Sequence, residues 1–381
     1  MSVNACRFTT AAVITAILLL TDLQSPSVAE PPRIPVLVPI TGFLSLEGTS
    51  QRNGAALALE GSGIALEVDD TATSPEVAIN AFERTITSGR ARDDIVAIVA
   101  PMLGTQMLAL VPLADEFAVP MITISGTARI TELGSPNVFR FFPGDAVVKA
   151  AHARYAVKEL GVTRPAVLFQ TTAYGQSGRT ELDRNLTGLN APPVLSEGLD
   201  VSVKDMLPIL SKVRETRADA LLLHLHAGPS ALVIRQARAM GLDIPIVAGS
   251  AMHQPETAAL LEPSELAGVC AESGASPISE SDPAMRAFVE HYRDTFDREP
   301  DAFALAQYDG VKMLLAAIGS GAHDAAAIRD YLKTNSYNGL AMRYESDGKG
   351  NMAHSAVILC YDGNGRVPAI VKRYNNITGA L

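Results

Sequence analysis

The sequence predicts an α/β protein built on parallel sheets with helices on both faces. Short, continuous apolar runs alternate with helical patterns along most of the chain, and the loops between them are a few residues long. Continuous apolar runs are typical of strands buried on both faces, and helical crossovers make such sheets parallel. Aromatic residues are only 5% of the 381 residues and Trp is absent, which suits packing through small aliphatic side chains.

The strands predicted in the first two thirds of the chain follow one another with a helix between each pair. They are residues 34–40, 64–68, 95–100, 120–124, 166–169, 194–198, 220–226 and 244–248. Sheets of this kind bind ligands at the carboxyl ends of their strands, so the loops at that end are of most interest. They follow Ile40, Ala100, Ile124, Phe169, His226 and Ala248.

Helices are predicted from apolar residues three to four apart and from end signals. In one clear case Ser74 is the N-cap, Pro75 the first helical residue and Gly89 the stop. The other predicted helices are residues 51–59, 106 onward, 147–160, 178–186, 204–215, 230–240, 282–296 and 302–318.

Two segments interrupt this alternation. Residues 137–144 are extended, aromatic and contain Pro and Gly, which marks a candidate crossing between two lobes. The number of predicted strand–helix units is also larger than a single sheet usually contains. Near the end, Asp362-Gly363-Asn364-Gly365 separates apolar runs at 356–361 and 368–374, a pattern typical of a β-hairpin.

The net charge limits the classes of binding partner, and the first residues indicate where the protein is located. A net charge of −10 and the lack of a basic run argue against binding to nucleic acid or to an anionic membrane. Residues 1–29 have the pattern of a signal peptide, with Arg7, an apolar run at 9–20 and small residues up to Ala29. An N-terminal membrane anchor is the alternative, for which the run is short. Cys6 precedes the run, so a lipoprotein is not expected.

Two cysteines follow this leader, Cys270 and Cys360, and both lie in apolar runs. An oxidising compartment permits a disulfide between them, and two buried free thiols are the alternative. Their apolar settings favour the unpaired state. No spacing of Cys, His, Asp or Glu in the sequence indicates a metal site.

No catalytic motif follows the predicted strands. The sequence has no nucleophile elbow, P-loop or dinucleotide-binding glycine pattern. His224 and His226 share one face of a strand, and we interpret them as hydrogen-bonding residues of the core or cleft rather than as a metal pair. Asp69 and Asp70 are interpreted as capping or hinge residues. We therefore predict no enzyme activity, no cofactor and no metal.

Several short motifs follow one another in a specific order along the chain. They are Pro39-Ile40-Thr41-Gly42, Asn53-Gly54-Ala55, Val68-Asp69-Asp70-Thr71 with Pro75, Ile124-Ser125-Gly126-Thr127, Thr131-Glu132-Leu133 with Phe139-Arg140, Tyr174-Gly175-Gln176-Ser177-Gly178, Arg235-Gln236-Ala237-Arg238-Ala239-Met240-Gly241-Leu242 and Tyr308-Asp309-Gly310. Together they resemble the type I periplasmic binding proteins, specifically the branched-chain amino-acid-binding (Leu/Ile/Val-binding) family of ABC importers. The resemblance covers nearly the whole mature chain.

The resemblance implies the type I periplasmic binding protein fold, in which two Rossmann-like lobes are joined by a three-strand hinge. The N-terminal lobe would comprise residues 30–143 and 275–343. The C-terminal lobe would comprise residues 144–274 and 344–381, including the terminal hairpin. The crossings would lie near Phe142, Ser273 and Tyr344.

The resemblance also implies a ligand site between the lobes. The residues it points to are Met102, Leu103, Gly104, Thr105, Ser125, Thr127, Arg129, Tyr174, His226, Ser250 and Tyr308. The loops at 102–105 and 125–129 would hold a ligand carboxylate, the first of them at a helix N-terminus. Arg129 would either clamp that carboxylate or face solvent near Glu132.

In the second lobe Tyr174 would cover the ligand, and His226 stands where amino-acid binders often have Tyr. Ser250 stands where those proteins have an acidic residue for the ligand ammonium. Since a buried ammonium without a carboxylate is costly, an α-amino acid ligand is in doubt unless Glu47 or Asp309 supplies the charge. Tyr308 either contacts the ligand or packs in the core.

The resemblance implies the periplasmic substrate-binding component of an ABC importer that closes on a small carboxylate or amide, such as an amino acid or an aromatic acid. Phe43, Met102 and Leu103 suggest an apolar or aromatic ligand body. The alternatives are an extracytoplasmic sensing module and an exported hydrolase using His224, His226 and Asp69. The expected partners are the ligand and the permease subunits, with the protein a monomer in the periplasm.

Overall fold

The computed structural model describes residues 1–2, 32–87 and 94–377. The described residues from 32 onward form two main sheets of five and seven strands with helices packed on their faces, which confirms the predicted α/β class. The predicted signal peptide, its cleavage site near Ala29 and the helix stop at Gly89 lie outside the described residues. Within the described ranges, no helix has both the length and the apolar character needed to span a membrane.

The first sheet is parallel throughout, with strand order β2-β1-β3-β4-β5. Its strands are β1 (Val36–Val38), β2 (Val68–Asp70), β3 (Ile98–Val99), β4 (Met121–Thr123) and β5 (Val138–Arg140). The helices of this part are α1 (Ser45–Leu59), α2 (Pro75–Thr87), α3 (Gly104–Glu116) and α4 (Arg129–Glu132). Val36 and Val38 point into one core and Leu37 into another on the opposite face, as a buried parallel strand requires.

The second sheet contains a parallel group in the order β10-β9-β8-β6-β7. Its strands are β6 (Pro165–Gln170), β7 (Leu195–Leu199), β8 (Ala220–His224), β9 (Ile246–Ala248) and β10 (Val269–Ser273). The helices are α5 (Asp145–Arg154), α6 (Ala173–Gly188), α7 (Leu207–Glu215), α8 (Ala227–Ala239) and α9 (Pro255–Ala259), with a π-helical turn after α5 at Tyr155–Glu159.

The chain then returns to the first core before it ends in the second sheet. Helices α10 (Pro283–Phe296), α11 (Ala302–Gly319) and α12 (Ala325–Thr334) and the hairpin β11 (Ser336–Asn338) to β12 (Arg343–Glu345) contribute to the first core. The last strands, β13 (Ala356–Cys360) and β14 (Ala369–Tyr374), add to the second sheet as an antiparallel pair beside β10. The sequence missed α12 and the β11–β12 hairpin, and it predicted the terminal hairpin correctly.

The chain passes between the cores of the two sheets three times. It leaves the first core after Phe142 and returns to it at Ala275. Its last passage lies between Ala353, in the first core, and Ala356, in the second. Tyr344, near which the sequence suggested a crossing, is instead fully buried in the first core, 5.2 Å from the ring of Phe141.

The expectation of unpaired cysteines is wrong, because Cys270 and Cys360 form a disulfide. Strands β10 and β13 are antiparallel neighbours and their register sets these two residues directly opposite each other, with Cα atoms 4.0 Å apart. The apolar runs predicted both strands but not their pairing, which joins residues 90 positions apart. The bond fastens the terminal hairpin to the parallel part of the second sheet.

Element ends differ from the predictions where pairing or packing decides them. The strand predicted at 64–68 pairs with β1 only from Val68 to Asp70. Helix α1 begins at Ser45 rather than at residue 51, and its first turns carry Glu47 into the interior.

Candidate functional site

A cavity of about 470 Å³, its open mouth included, lies where the carboxyl ends of the strands of both sheets face each other. Its walls are Leu44, Glu47, Met102, Leu103, Ile124, Gly126, Phe142, Pro143, Asp145, Val148, Tyr174, His226, Ser250, Ala251 and Phe303. Five of the six loops singled out in the sequence contribute a wall residue, and His226, which precedes the sixth loop, is itself part of the wall. A mostly apolar wall with a few polar groups is typical of a site for a small organic molecule.

Of the residues implied by the resemblance, five line this cavity, and they come from both lobes. They are Met102, Leu103, Tyr174, His226 and Ser250. Ser125 and Thr127 are buried in the loop that contributes Ile124 and Gly126 to the wall. Neither hydroxyl oxygen has a hydrogen-bond partner among the described residues.

The N-terminus of α3 meets that loop directly. Gly104 is the first residue of the helix, and a Cβ atom added there would lie 2.1 Å from Thr127 Oγ1. Glycine is therefore required for the close approach. The first amide groups of a helix have no partner inside it, so this junction places amide donors beside two hydroxyls that lack a partner in the part of the chain that the structure describes. Thr105 lies in the same turn but is not part of the wall.

Two of the implied residues are elsewhere. Arg129 is exposed at the start of α4 and lines a separate depression beside Gln176 and Glu181. Tyr308 packs on α11 in the first core, 5.0 Å from the ring of Phe288. The alternatives of a solvent-facing arginine and a core tyrosine therefore describe these two side chains.

Glu47 is a buried acidic wall residue on α1. Glu47 is 1% exposed, and no side chain among the described residues donates a hydrogen bond to its carboxylate. Burial raises the pKa of Glu47 to about 7 and repulsion from Asp301 adds to the rise, while the backbone amides of Glu47 and Ala227 offset part of it. Desolvation penalises the charged form of an acid, so Glu47 is only partly ionised at neutral pH when the cavity holds no cation.

Asp145, the first residue of α5, is a second buried acid of the wall. It too is 1% exposed, and its carboxylate makes no hydrogen bond within 3.5 Å to a described residue. Burial raises its pKa to about 7, although Lys149 and Ser177 offset part of the effect. The sequence analysis missed Asp145, and its position directly after the 137–144 segment was the signal that could have revealed it.

Aromatic rings form the second-lobe side of the cavity. The ring of Tyr174 lies 5.3 Å from that of His226 in a stacked arrangement, and the ring of Phe43, from the first lobe, lies 5.3 Å from the His226 ring in a tilted one. Burial lowers the pKa of His226 to about 4, so this imidazole is neutral at pH 7. His226 therefore presents an uncharged, partly aromatic surface to a ligand.

His224 lies beneath Tyr174, and its Nε2–H donates to the Tyr174 carbonyl oxygen over 3.0 Å. The interpretation of the two histidines as a core residue and a cleft residue, rather than as a metal pair, fits these contacts. Among the described residues, no group of three or more His, Cys, Asp or Glu side chains is arranged to hold a metal ion.

Ser250 belongs to a buried polar network behind the wall. Its hydroxyl donates to Glu272 Oε1 over 3.4 Å, and Glu272 also binds Lys149 Nζ and His152 Nδ1. Burial raises the pKa of Glu272, but Lys149 and His152 outweigh it and leave the pKa below its usual value. This carboxylate is thus ionised and already partnered.

Asp309, the other candidate for a missing negative charge, lies away from the cavity. Its carboxylate accepts hydrogen bonds from the Leu340 and Ala341 amides, each at 2.9 Å, and from the Tyr344 hydroxyl at 3.1 Å. These contacts fix the β11–β12 hairpin on α11. Of the two candidates, only Glu47 lines the cavity.

Direct hydrogen bonds also join the two lobes beside the cavity. Gln254 Nε2 donates to Asp301 Oδ2 over 2.7 Å, and the Ala302 amide donates to His253 Nε2 over 2.9 Å. We name this pair of contacts the latch. Because it connects the loop after β9 with the start of α11, it exists only while the lobes are close together.

A family model described as periplasmic binding protein matches residues 31–364. The chain belongs to this family. An amino acid binding protein of Pseudomonas aeruginosa is 28% identical over 319 residues, which are 82% of this chain and 83% of that protein. A relative from the same organism, described as binding leucine, isoleucine, valine, threonine and alanine, is 23% identical over 84% of this chain and 87% of its own.

Solved structures agree with the two-lobed fold of this periplasmic binding protein. The leucine-binding protein of Thermotoga maritima has a TM-score of 0.81 and 27% identity, covering 90% of this chain and 99% of its own. A solute-binding protein of Rhodopseudomonas palustris in complex with 3,4-dihydroxybenzoic acid has a TM-score of 0.81 and 20% identity, covering 92% and 98%. The resemblance to the branched-chain amino-acid-binding group is confirmed.

Proposed function

We propose that this periplasmic binding protein is the substrate-binding component of an ABC importer and closes its lobes on a small organic carboxylate or amide. The observation that carries the proposal is a single cavity with walls from both lobes, such as Met102 from the first and His226 from the second. A ligand that touches both walls favours the closed arrangement, because those contacts are lost when the lobes separate.

The chemistry of the first-lobe wall supports a ligand carboxylate. The amide groups at the start of α3 favour an anion, and the Ser125 and Thr127 hydroxyls beside them have no partner among the described residues. Next to this junction the wall is apolar at Met102, Leu103 and Phe303. Leucine and 3,4-dihydroxybenzoic acid, named for two related structures, each combine a carboxylate with an apolar or aromatic body.

The cellular setting follows from the same proposal. The leader at residues 1–29 would direct export to the periplasm, and the closed protein would dock on the permease subunits as a monomer. Binding and release of the ligand are the whole task, without a reaction or a cofactor.

A ligand screen with a readout of shape tests the proposal. The mature protein would be screened by thermal shift against amino acids, aromatic acids and amides, with neutral sugars as the control set. At least one acid or amide should raise the melting temperature and also reduce the radius of gyration in solution scattering. The proposal fails if no compound changes the melting temperature and the scattering curve is the same under all conditions.

A further inference from the structure

We propose that Arg140 is a positioning residue that orients the 125–127 loop and gives the site its preference for an acid over an amide. It acts through the loop without touching the ligand, and Asn351, just before the last passage between the lobes, holds its guanidinium in place. The inference rests on the proposed function and names the charge on which carboxylate binding depends.

Arg140 is a buried cation whose hydrogen bonds all go to uncharged oxygens. It ends strand β5, is 2% exposed and donates six hydrogen bonds to described residues, none of them to a carboxylate. Burial lowers its pKa to about 10, against attraction from Asp145, Asp347 and Glu132, so it is charged at pH 7. A buried cation without a hydrogen-bonded acid is costly, and an anion bound nearby offsets part of that cost.

Three successive carbonyl groups of the 125–127 loop converge on one nitrogen of this guanidinium. Arg140 Nη1 donates to them over 3.3, 3.0 and 2.8 Å, in chain order. In a planar trans peptide the N–H lies opposite the carbonyl, so the amides of residues 126–128 point away from Arg140. Gly126, in the middle of this loop, lines the cavity. Each peptide unit therefore faces the cation with its oxygen and leaves its amide on the other side, where an anion is favoured.

The same loop bonds to the second lobe. The Ala128 amide donates to Ser177 Oγ on α6 over 2.9 Å. Because this amide shares its peptide unit with the Thr127 carbonyl, the hydrogen bond from Arg140 to that carbonyl also orients the contact between the lobes. Arg140 thus serves carboxylate binding and closure together.

Asn351 holds the other side of the guanidinium. Its Oδ1 accepts hydrogen bonds from Arg140 Nε over 3.0 Å and from Nη2 over 2.6 Å, and its Nδ2 donates to Asp347 Oδ2 over 2.7 Å. The backbones of Arg140 and Asn351 are also paired in a parallel bridge. The guanidinium therefore connects the chain that leads into the last passage between the lobes with the loop beside the ligand.

Positive charge at the site otherwise comes only from amide dipoles. Among the described residues that form the wall, none is a lysine or an arginine, whereas Glu47 and Asp145 are acids. Lys149, buried behind the wall, is bound to Glu272. Hydrogen bonds that involve a charged group are stronger than neutral ones, so the charge of Arg140 behind the loop favours a carboxylate over a neutral amide.

Matched acid and amide probes measure this preference. Leucine with leucinamide, and 3,4-dihydroxybenzoate with 3,4-dihydroxybenzamide, differ only at the carboxyl group, and the acid with the largest thermal shift in the screen joins them with its own primary amide. Calorimetry would give both affinities for the wild type, Arg140→Gln, Arg140→Lys and Asn351→Asp. Arg129→Gln is the matched control, because Arg129 follows the same loop but is exposed and lines a separate depression.

We expect Arg140→Gln to lower affinity for the acid roughly tenfold more than affinity for its amide, because only the acid loses an interaction between charges. Arg140→Lys keeps a cation without the planar fork, so it should bind both probes more weakly and retain most of the preference. Asn351→Asp sets a carboxylate against the guanidinium and should reduce the preference, which keeps the test decisive if Arg140→Gln does not fold. Arg129→Gln should match the wild type.

Three results would overturn the inference. They are a wild-type ratio of acid to amide affinity in folded Arg140→Gln or Asn351→Asp, a loss of the preference in Arg140→Lys as complete as in Arg140→Gln, and a wild type that binds amides but no acid. In each of these cases a probe still binds and the proposed function stands. If no acid or amide binds the wild type and the scattering never changes, the proposed function fails and this inference fails with it.

Discussion

The two buried acids of the cavity make the stability of the unliganded protein depend on pH. The pKa of Glu47 and that of Asp145 both lie at about 7 in the folded protein, against ordinary values of 4.5 and 3.8. Between those values the folded state holds protons that the unfolded state has released. Each acid therefore lowers the free energy of unfolding as the pH rises from about 4 to 7.

Replacing Glu47 by Gln should remove its share of this dependence. At pH 8 we expect Glu47→Gln to raise the free energy of unfolding by about 2–3 kcal/mol relative to the wild type, because an unpaired buried charge is lost. At pH 4.5 the two proteins should be nearly equal. Urea denaturation without ligand at both pH values measures the difference, and a variant that is less stable at pH 8 would contradict this description of Glu47.

Tyr174 and Arg129 should differ sharply in their effect on ligand binding. Truncating Tyr174 to Ala removes a ring that lines the cavity and stacks on His226, so affinity for the best ligand of the screen should fall by roughly tenfold or more. Arg129→Ala should leave affinity unchanged, because Arg129 lines a separate, exposed depression. Calorimetry on both variants measures the affinities. Equal losses of affinity in the two variants would show that the ligand does not bind in this cavity.

Part of the wall was predictable at the level of residues. The rule that ligands bind at the carboxyl ends of parallel strands singled out the loops, and the family resemblance pointed to Met102, Tyr174 and His226, which line the cavity. Asp145 and Phe303 were missed. Asp145 directly follows the predicted crossing at 137–144, but Phe303 reaches the cavity only because the chain returns to the first lobe, which no local pattern encodes. For Arg129 and Tyr308, the side of the helix that faces the cleft depends on packing angles that the sequence does not contain.

Among the elements, α1 and α11 pack closely at Gly54. A Cβ atom added there would lie 2.1 Å from the Ala304 carbonyl oxygen, so Gly54→Ala must push the two helices apart. We expect a loss of about 1–3 kcal/mol in the free energy of unfolding. Gly319→Ala, at the open end of α11 with nothing within 4 Å, is the matched control and should be neutral or slightly stabilising. Equal stabilities of the two variants would contradict the predicted contact.

The disulfide should stabilise the second sheet. Replacing both Cys270 and Cys360 by Ser opens a loop of 90 residues, and we expect the free energy of unfolding to fall by about 2–4 kcal/mol. Because the bond lies away from the cavity wall, ligand affinity should change little. Denaturation of the wild type with and without reductant is the control. A double variant as stable as the oxidised wild type would contradict this role.

In the molecule as a whole, the latch should bias the lobes toward closure. Gln254→Ala removes the donor to Asp301, so we expect a larger radius of gyration without ligand and a several-fold lower affinity. Gln176→Ala, on the exposed face of α6, is the control. Scattering and calorimetry on both variants measure these effects, and a Gln254→Ala protein that matches the wild type in both would exclude the latch as a contributor to closure.

Local sequence patterns predicted the order of strands and helices more completely than they predicted where the chain passes between the lobes. Periodic apolar runs predicted the order of strands and helices, because each parallel strand is buried on both faces. The last passage between cores was suggested near Tyr344, yet Tyr344 hydrogen-bonds Asp309 inside the first core. That contact depends on the β11–β12 hairpin, whose short strands leave no clear signal in the sequence.

A crystal structure of the mature protein with the tightest-binding compound of the ligand screen tests the central claim most directly. We predict that the compound lies in the cavity between the lobes, with its carboxylate or amide at the start of α3 and its body against Tyr174 and His226. A compound bound outside this cavity, or one that touches a single lobe, would contradict the account.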